Sequence, residues 1–326
     1  MRVRVGTFNL NNLFSRFNFQ GAIDAINETP GPAGSLTIRY EFSDPETTRV
    51  RTFRGKLVKA KDPEETDRIA ERINTYALDV LAVQEVENIG ILRKFNREKL
   101  GGRYRYLALI EGNDPRFIDV AVLSTLPIGP VTSFQTAVHP AHPEQRVFGR
   151  DLLEVEIWSE GRTEKLFTIY NNHLKSHFVP YDENAAEGAA AANARRLRQA
   201  EMVARIVTER SDQESRFLIL GDMNDPPDSP WLEPFTTSHS LSLVNGLVDP
   251  AETRDPKTEI TGPGPSIKAW TYRHKESGRP PDFYLYDHIW LSPALAERQR
   301  GAWIDRRTRH GGDGSDHDLA WVELAV

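Results

Sequence analysis

Apolar runs of strand length that stop on a polar side chain recur along the whole of this chain. The first passes through Val3, Val5 and Phe8 and stops on Asn9; "VLAVQEVEN" (80–88) stops on Gln84 and Glu85. "KLFTIYNNHL" (165–174) ends in Asn172 and His173, and "FLILGDMND" (217–225) in Asp222 and Asn224. The run 283–291 carries Asp287 and His288, and the last, 317–325, opens on Ser315, Asp316 and His317. One such ending is an ordinary turn, because Gly, Asp, Asn and Pro suit turn conformations. Repeated at strand after strand, the endings describe a site, since rigid sheets carry ligands where strand ends converge.

The segments between these runs alternate in character. "DPEETDRIAERINTYALD" has helical spacing through Ile69, Ile73 and Ala77, with Asp62 as N-cap and Pro63 as first helical residue. The Ala-rich segment 185–210 predicts a long helix with Leu197, Val203 and Ile206 on one face. Further strands are expected at 104–110, 117–124 and 150–158. Residues 15–62 read as an inserted loop carrying a β-hairpin (36–42 and 48–55), and 249–266 reads as irregular. Without a repeat or a convincing linker, one α/β domain over 1–326 is the simplest organisation.

Composition narrows the function classes. With no cysteine, disulfides, thiolate metal sites and a Cys nucleophile are excluded. No run reaches the length of a membrane span, and "MRVRVGTFNL" alternates like a strand rather than a signal peptide, so a cytoplasmic protein is expected if the chain is complete, with a secreted mature form left open. A formal charge of −6 argues against coating nucleic acid through bulk electrostatics, though not against a local basic groove.

The stretch at 222–224 shows what the endings can do. In extended backbone Asp222 and Asn224 project to one side and Met223 to the other, while Gly221 lets a ligand approach the chain closely. A carboxylate beside an amide suits a water held against a phosphate.

Taken in order, "TFNLNN", "LAVQEVEN", "YNNHLKS", "LGDMND", "YDHIWLS" and "GSDHDLAW" resemble the endonuclease/exonuclease/phosphatase superfamily, typified by deoxyribonuclease I and exonuclease III. The resemblance spans residues 3 to 325 apart from the insertion and the 249–266 stretch. It implies a four-layer α-β-β-α sandwich with two central mixed β-sheets, and Mg²⁺-dependent phosphoester hydrolysis, with Mn²⁺ as substitute. Carried over, Glu85 and Asn9 match the metal-side residues, Asp222 and Asn224 those around the attacking water, and Asp287 the aspartate before the closing motif. Asp316 matches a metal or phosphate-side ligand, and His317 the histidine at the scissile phosphate. His173 stands where deoxyribonuclease I and bacterial extracellular nucleases carry histidine, with Asn172 beside it as a phosphate contact. Asp119 is placed to fix the tautomer of His173, and Arg150 in "FGRDLLEV" resembles a phosphate clamp. His288 is expected no closer than behind the site.

Basic runs favour a nucleic acid substrate, DNA before RNA. "RVRTFRGKLVKAK" (49–61) lies in the insertion, "RRTRH" (306–310) precedes Ser-Asp-His, and "NARRLRQA" (193–200) contributes Arg195, Arg196 and Arg198. The alternative is a phosphodiesterase or phosphatase acting on a lipid headgroup or small phosphate ester, which the overall acidity suits better.

Overall fold

The computed structural model describes residues 1–14, 61–179, 183–212, 214–237, 241–254, 269–274, 278–306 and 314–326. The hairpin expected at 36–42 and 48–55 lies outside the described residues, as do the basic runs 49–61 and 306–310 but for Lys61 and Arg306.

Two mixed sheets are stacked face to face. Among the described residues the first has seven strands. In spatial order they are β12 (Ala251–Arg254), β16 (Gln299–Arg306), β17 (Ala320–Ala325), β1 (Arg2–Leu13), β2 (Val80–Val86), β4 (Asp119–Ser124) and β3 (Tyr106–Leu109). The second has six: β11 (Val244–Asn245), β15 (Asp287–Leu291), β10 (Phe217–Asp222), β9 (Lys165–His173), β8 (Leu152–Trp158) and β5 (Ile128–Ser133). Two small hairpins stand apart, β6 (Val138–His139) with β7 (His142–Arg146) and β13 (Tyr272–His274) with β14 (Asp282–Tyr284). At the centre of each sheet one pair runs parallel, β1 with β2 and β9 with β10.

The continuous apolar runs are explained by burial on both faces. Val80 and Ala82 meet Ile169, Leu218 and Leu220 between the sheets, while Leu81 and Val83 face helices α1 (Pro63–Tyr76) and α2 (Ile89–Lys99). On the far side, Tyr170, Phe217 and Ile219 pack under α3 (Ala185–Arg210) and α4 (Glu233–Thr237); α5 (Pro293–Ala296) is a single turn after β15. The result is the expected four-layer α-β-β-α sandwich. Helix α1 starts where its cap requires, the Glu64 N–H donating to the Asp62 carboxylate at 2.8 Å. Among the described residues no helix is long and apolar enough to cross a membrane.

Three expectations shift. The run 283–291 is broken into β14 and β15, the stretch 249–266 holds β12 paired in parallel with β16, and the last strand begins at Ala320.

Candidate active site

Where β1, β2, β9, β10 and β15 end, the two sheets frame a cleft of about 770 Å³ lined by Asn9, Glu85, Arg150, His173, Asp222, Asn224, Asp316 and His317. Beneath it lies a polar layer that ties the sheets together. Gln84 donates to Asn171 at 2.8 Å, and Asn171 donates to the carbonyls of Val83 and Ala121. Asn9 adds the top rung, its amide donating to Asp222 Oδ2 at 2.9 Å. Buried amides persist only when paired, so this layer fixes the spacing of the sheets at the site.

His317 is the best-held side chain in the cleft. Its Nδ1 lies 2.7 Å from Asp287 Oδ2, and its Nε2 lies 3.8 Å from Asp222 Oδ2. Burial works against a charged imidazole here, yet Asp287 and Asp222 outweigh it and hold His317 well above its ordinary pKa. Burial also raises Asp222, with Asp287 adding to the effect and His317 and Asn9 opposing it. Asp222 and His317 thus form a buried pair in which each group's charge depends on the other's. His173 sits opposite, its Nε2 3.5 Å from Asp222 Oδ2, and burial, with Arg150 and His317 nearby, keeps it neutral.

Two residues reach the cleft through special backbone. Glu85 has φ 63° and interrupts the β2–β4 register between Gln84 and Val86. In a regular pleat it would face α1 and α2; the bulge turns it to the cleft and leaves Val86 the helix side. Gly221 has φ 125°, and a Cβ there would stand 2.0 Å from the Asn172 carbonyl oxygen, so glycine is required beside Asp222. Asn224, at φ 54°, takes the Asp222 carboxylate on its own N–H and donates its amide to the Leu174 carbonyl.

Arg150 is buried and fixed, Nε on Asp114 at 3.0 Å and Nη1 on the Leu174 carbonyl at 2.8 Å. The remaining edge of its fork lines the cleft. The same Asp114 grips Arg116, which also lines the cleft. Sequence reasoning passed over Arg116 because "NDPRF" reads as a turn, and nothing in it announces a shared carboxylate. It passed over the cleft tyrosines Tyr272, Tyr284 and Tyr286 too, which "TYRH" and "DFYLYD" do not distinguish from strand residues.

The structure corrects three placements. Asn172 is not in the cleft: β9 alternates, so His173 and Asn171 face the other sheet while Asn172 faces α3 and donates to the Tyr170 carbonyl. Asp119 does not orient His173. It belongs to the first sheet, its Oδ1 takes the Gly112 N–H at 2.8 Å, and among the described residues neither its Oδ2 nor His173 Nδ1 has a hydrogen-bond partner. Arg196, grouped with Arg195 and Arg198 as a basic run, is buried and bound to Asp225 at 2.6 Å and to the Lys175 carbonyl, so it anchors α3. His288 stays behind the site, held between Trp290 Nε1 and the Leu285 carbonyl.

Asp119 carries a stability prediction. Burial, with Glu111, Asp114 and Asp151 as further carboxylates, pushes it up to about 7, against the Gly112 hydrogen bond. A folded-state pKa above the unfolded one gives stability that is present in acid and lost as pH rises through about 7. Asp119→Asn should therefore gain on the parent protein between pH about 5 and about 8. Urea midpoints of both proteins at the two pH values test it, and a constant difference would show that Asp119 is not protonated in the fold.

A divalent cation fits the donor set. Burial raises Glu85, and Asp316 raises it further, so two carboxylates share a space that a hard cation would stabilise; Asn9, expected among the ligands, instead turns its NH2 to Asp222 and its oxygen to the Asn11 N–H at 2.9 Å. Asp222, Asp287 and His317 also place ligand atoms within 4.8 Å of one another. Their existing Asp287–His317 hydrogen bond makes that trio the better proton-transfer group and Glu85 with Asp316 the better ligand pair.

A four-layer sandwich with a carboxylate- and histidine-lined cleft across its sheet ends defines a class of phosphoester hydrolases. The chain belongs to the Endonuclease/Exonuclease/phosphatase family, whose model matches residues 6–317. No curated protein sequence matches it. Among solved structures it is similar to an endonuclease/exonuclease/phosphatase from Bacteroides vulgatus, with TM-score 0.59 and 14% identity over 100% of this chain and 99% of that one. It is also similar to an AP endonuclease from Archaeoglobus fulgidus, TM-score 0.58, 16% identity, covering 99% and 100%. For TDP2 from Caenorhabditis elegans the values are 0.55 and 15%, covering 100% and 75%. At these identities the likeness is one of fold.

Proposed function

We propose that this chain is a divalent-metal-dependent phosphodiesterase that cleaves nucleic acid, DNA in the first place, by in-line attack of water. The observation that carries the reading is the convergence of Asp222, His317 with Asp287 behind it, Asn224 and Arg150 on one cleft. Solved relatives by fold include an AP endonuclease, which agrees with a nucleic acid substrate.

The roles follow from position. Asp222, whose charge burial disfavours, accepts the proton of the attacking water. Arg150 and the Asn224 amide face the non-bridging oxygens, and Arg116 extends the cationic wall. His317, charged because Asp287 and Asp222 surround it, holds the scissile phosphate and carries a proton for the leaving oxygen. Neutral His173 donates a hydrogen bond without adding charge. Mg²⁺ held by Glu85 and Asp316, with Mn²⁺ as substitute, would supply charge neutralisation at the phosphoryl oxygens.

The test is an activity panel of supercoiled plasmid, phospholipid vesicles and p-nitrophenyl phosphate esters, each with and without Mg²⁺. Plasmid cleavage that chelator abolishes and Mg²⁺ restores is the expected result. Binding has its own readout: Mg²⁺ should raise the thermal midpoint, and Glu85→Gln should remove most of that rise. Full plasmid cleavage in excess chelator would overturn the metal reading, and lipid hydrolysis alone would replace the substrate.

A further inference from the structure

The cleft has a second wall, and the reaction described above makes no use of it. Tyr272 on β13 pairs in register with Tyr284 on β14, and Tyr286 follows two residues on. In an extended run Tyr284 and Tyr286 share a side while Leu285 turns into the inter-sheet core. The rings lie nearly parallel. Tyr272 and Tyr286 have centroids 5.0 Å apart at 15°, and Tyr284 and Tyr286 5.1 Å apart at 13°. His177 stacks on Tyr286 from the rim at 5.8 Å, and all four rings line the cleft.

This shelf is locked to the reacting groups. Tyr272 stands 5.0 Å from the His317 ring. The Thr271 hydroxyl accepts the N–H groups of Tyr286 and Asp287, and the Thr271 carbonyl accepts that of Asp318. The shelf and the Asp287–His317 pair therefore rest on one residue and keep one spacing. On the other side the wall is cationic: Arg116 and Arg150 continue into a recess of about 420 Å³ with Lys175 and Arg195.

The rings are piled face to face, so the pile offers a ring face at its end, at Tyr284, which among the described residues stacks on Tyr286 alone; with Arg116 and Arg150 lining the same cleft, that end suits a ligand that joins a planar ring to a phosphoryl group by a short link. A quaternary ammonium headgroup is a poorer match, since it seeks ring faces converging on a point, and these rings are parallel with cations opposite. We propose that the Tyr284 end of this shelf of stacked rings binds an unpaired nucleobase next to the scissile phosphate, so that the enzyme acts on single-stranded or splayed nucleic acid. In a duplex both faces of a base are covered by its neighbours, and only an unstacked base can lie on the shelf. The inference rests on the phosphodiesterase reading and adds the identity of the flanking group.

The test uses two small phosphodiesters, the dinucleotide thymidylyl-thymidine and the same linkage joining two abasic tetrahydrofuran sugars. Stacking on an aromatic side chain predicts kcat/KM for the dinucleotide about tenfold or more above the abasic compound. Tyr284→Leu should erase most of that ratio, and a melting curve at the parental midpoint shows that the variant folds. A single-stranded oligonucleotide should be cut faster than its duplex, with a narrower gap in Tyr284→Leu. Equal hydrolysis of both small substrates overturns the shelf and leaves the phosphodiesterase intact. Hydrolysis of neither, nor of any substrate in the activity panel, overturns the phosphodiesterase and the shelf with it. Tyrosine-dependent cleavage of glycerophosphocholine in place of the dinucleotide overturns the shelf's assignment in favour of a headgroup.

Discussion

Asp222→Asn is expected to lower kcat by about a hundredfold or more on the best phosphodiester substrate, with little loss of stability. The side chain is almost fully buried, and its Oδ2 lies within 2.9 Å of the Asn9 amide, 3.5 Å of His173 Nε2 and 3.8 Å of His317 Nε2. Asparagine keeps the shape but only one acceptor, so it can hold the Asn9 amide or the Asn224 N–H and not both, a loss of about 1 kcal/mol that the removal of a buried charge offsets. It cannot take a proton, and it leaves His317 facing Asp287 alone. Because burial already disfavours the Asp222 charge, the thermal midpoint should hold or rise. His317→Ala should cost a similar factor, and the double variant little more than either, since the two act as one unit. Steady-state kinetics with melting curves distinguish this from a folding defect. Near-parental turnover in Asp222→Asn would reduce the Gly-Asp-Met-Asn stretch to an ordinary turn.

How much of this was legible in the sequence depends on whether the signal was local. The buried strands and their polar ends are local, and so is the Asp62-Pro63 start of α1. Strands at sheet margins were not legible: β5 alternates weakly and is partly exposed, and β11 is too short to carry a period. The facing of a residue pair at a strand end was not legible either. "YNNHL" offers two asparagines, and only the pleat decides that Asn171 bridges the sheets and Asn172 turns to the helix. Glu85 reads as a strand residue, yet a bulge aims it. Arg116 and Arg150 are joined by a carboxylate that lies thirty-six positions from one of them, a link set by tertiary structure alone.

The hardest residue to read was Arg72, and it carries the largest expected loss of stability. On α1 it neighbours Ile73 and, as a charge on an amphipathic helix, suggests a solvated face. The structure buries it. Its Nε is 3.0 Å from Asp305 Oδ2, its Nη2 is 3.0 Å from Asp318 Oδ1, and its Nη1 donates to the His317 carbonyl at 3.2 Å. Arg72 therefore neutralises two carboxylates brought in by the ends of β16 and the closing motif, and it pins the backbone of His317 from below. Arg72→Met should cost about 3–5 kcal/mol, the usual penalty for removing one partner of a buried pair. Adding Asp305→Asn to the same background should recover part of the loss, since one of the two buried carboxylate charges that Arg72 balanced is gone while the Tyr76 hydroxyl, 2.9 Å from Asp305 Oδ1, keeps an acceptor. Activity should fall as well, through kcat more than KM, as the unpinned His317 loses its position against Asp222. Denaturant melts of the three proteins measure the first effect. A single variant within about 1 kcal/mol of the parent would mean that the buried ion pairs are replaceable by apolar packing, and that His317 is held by Ser315 and Asp287 without help from the helix.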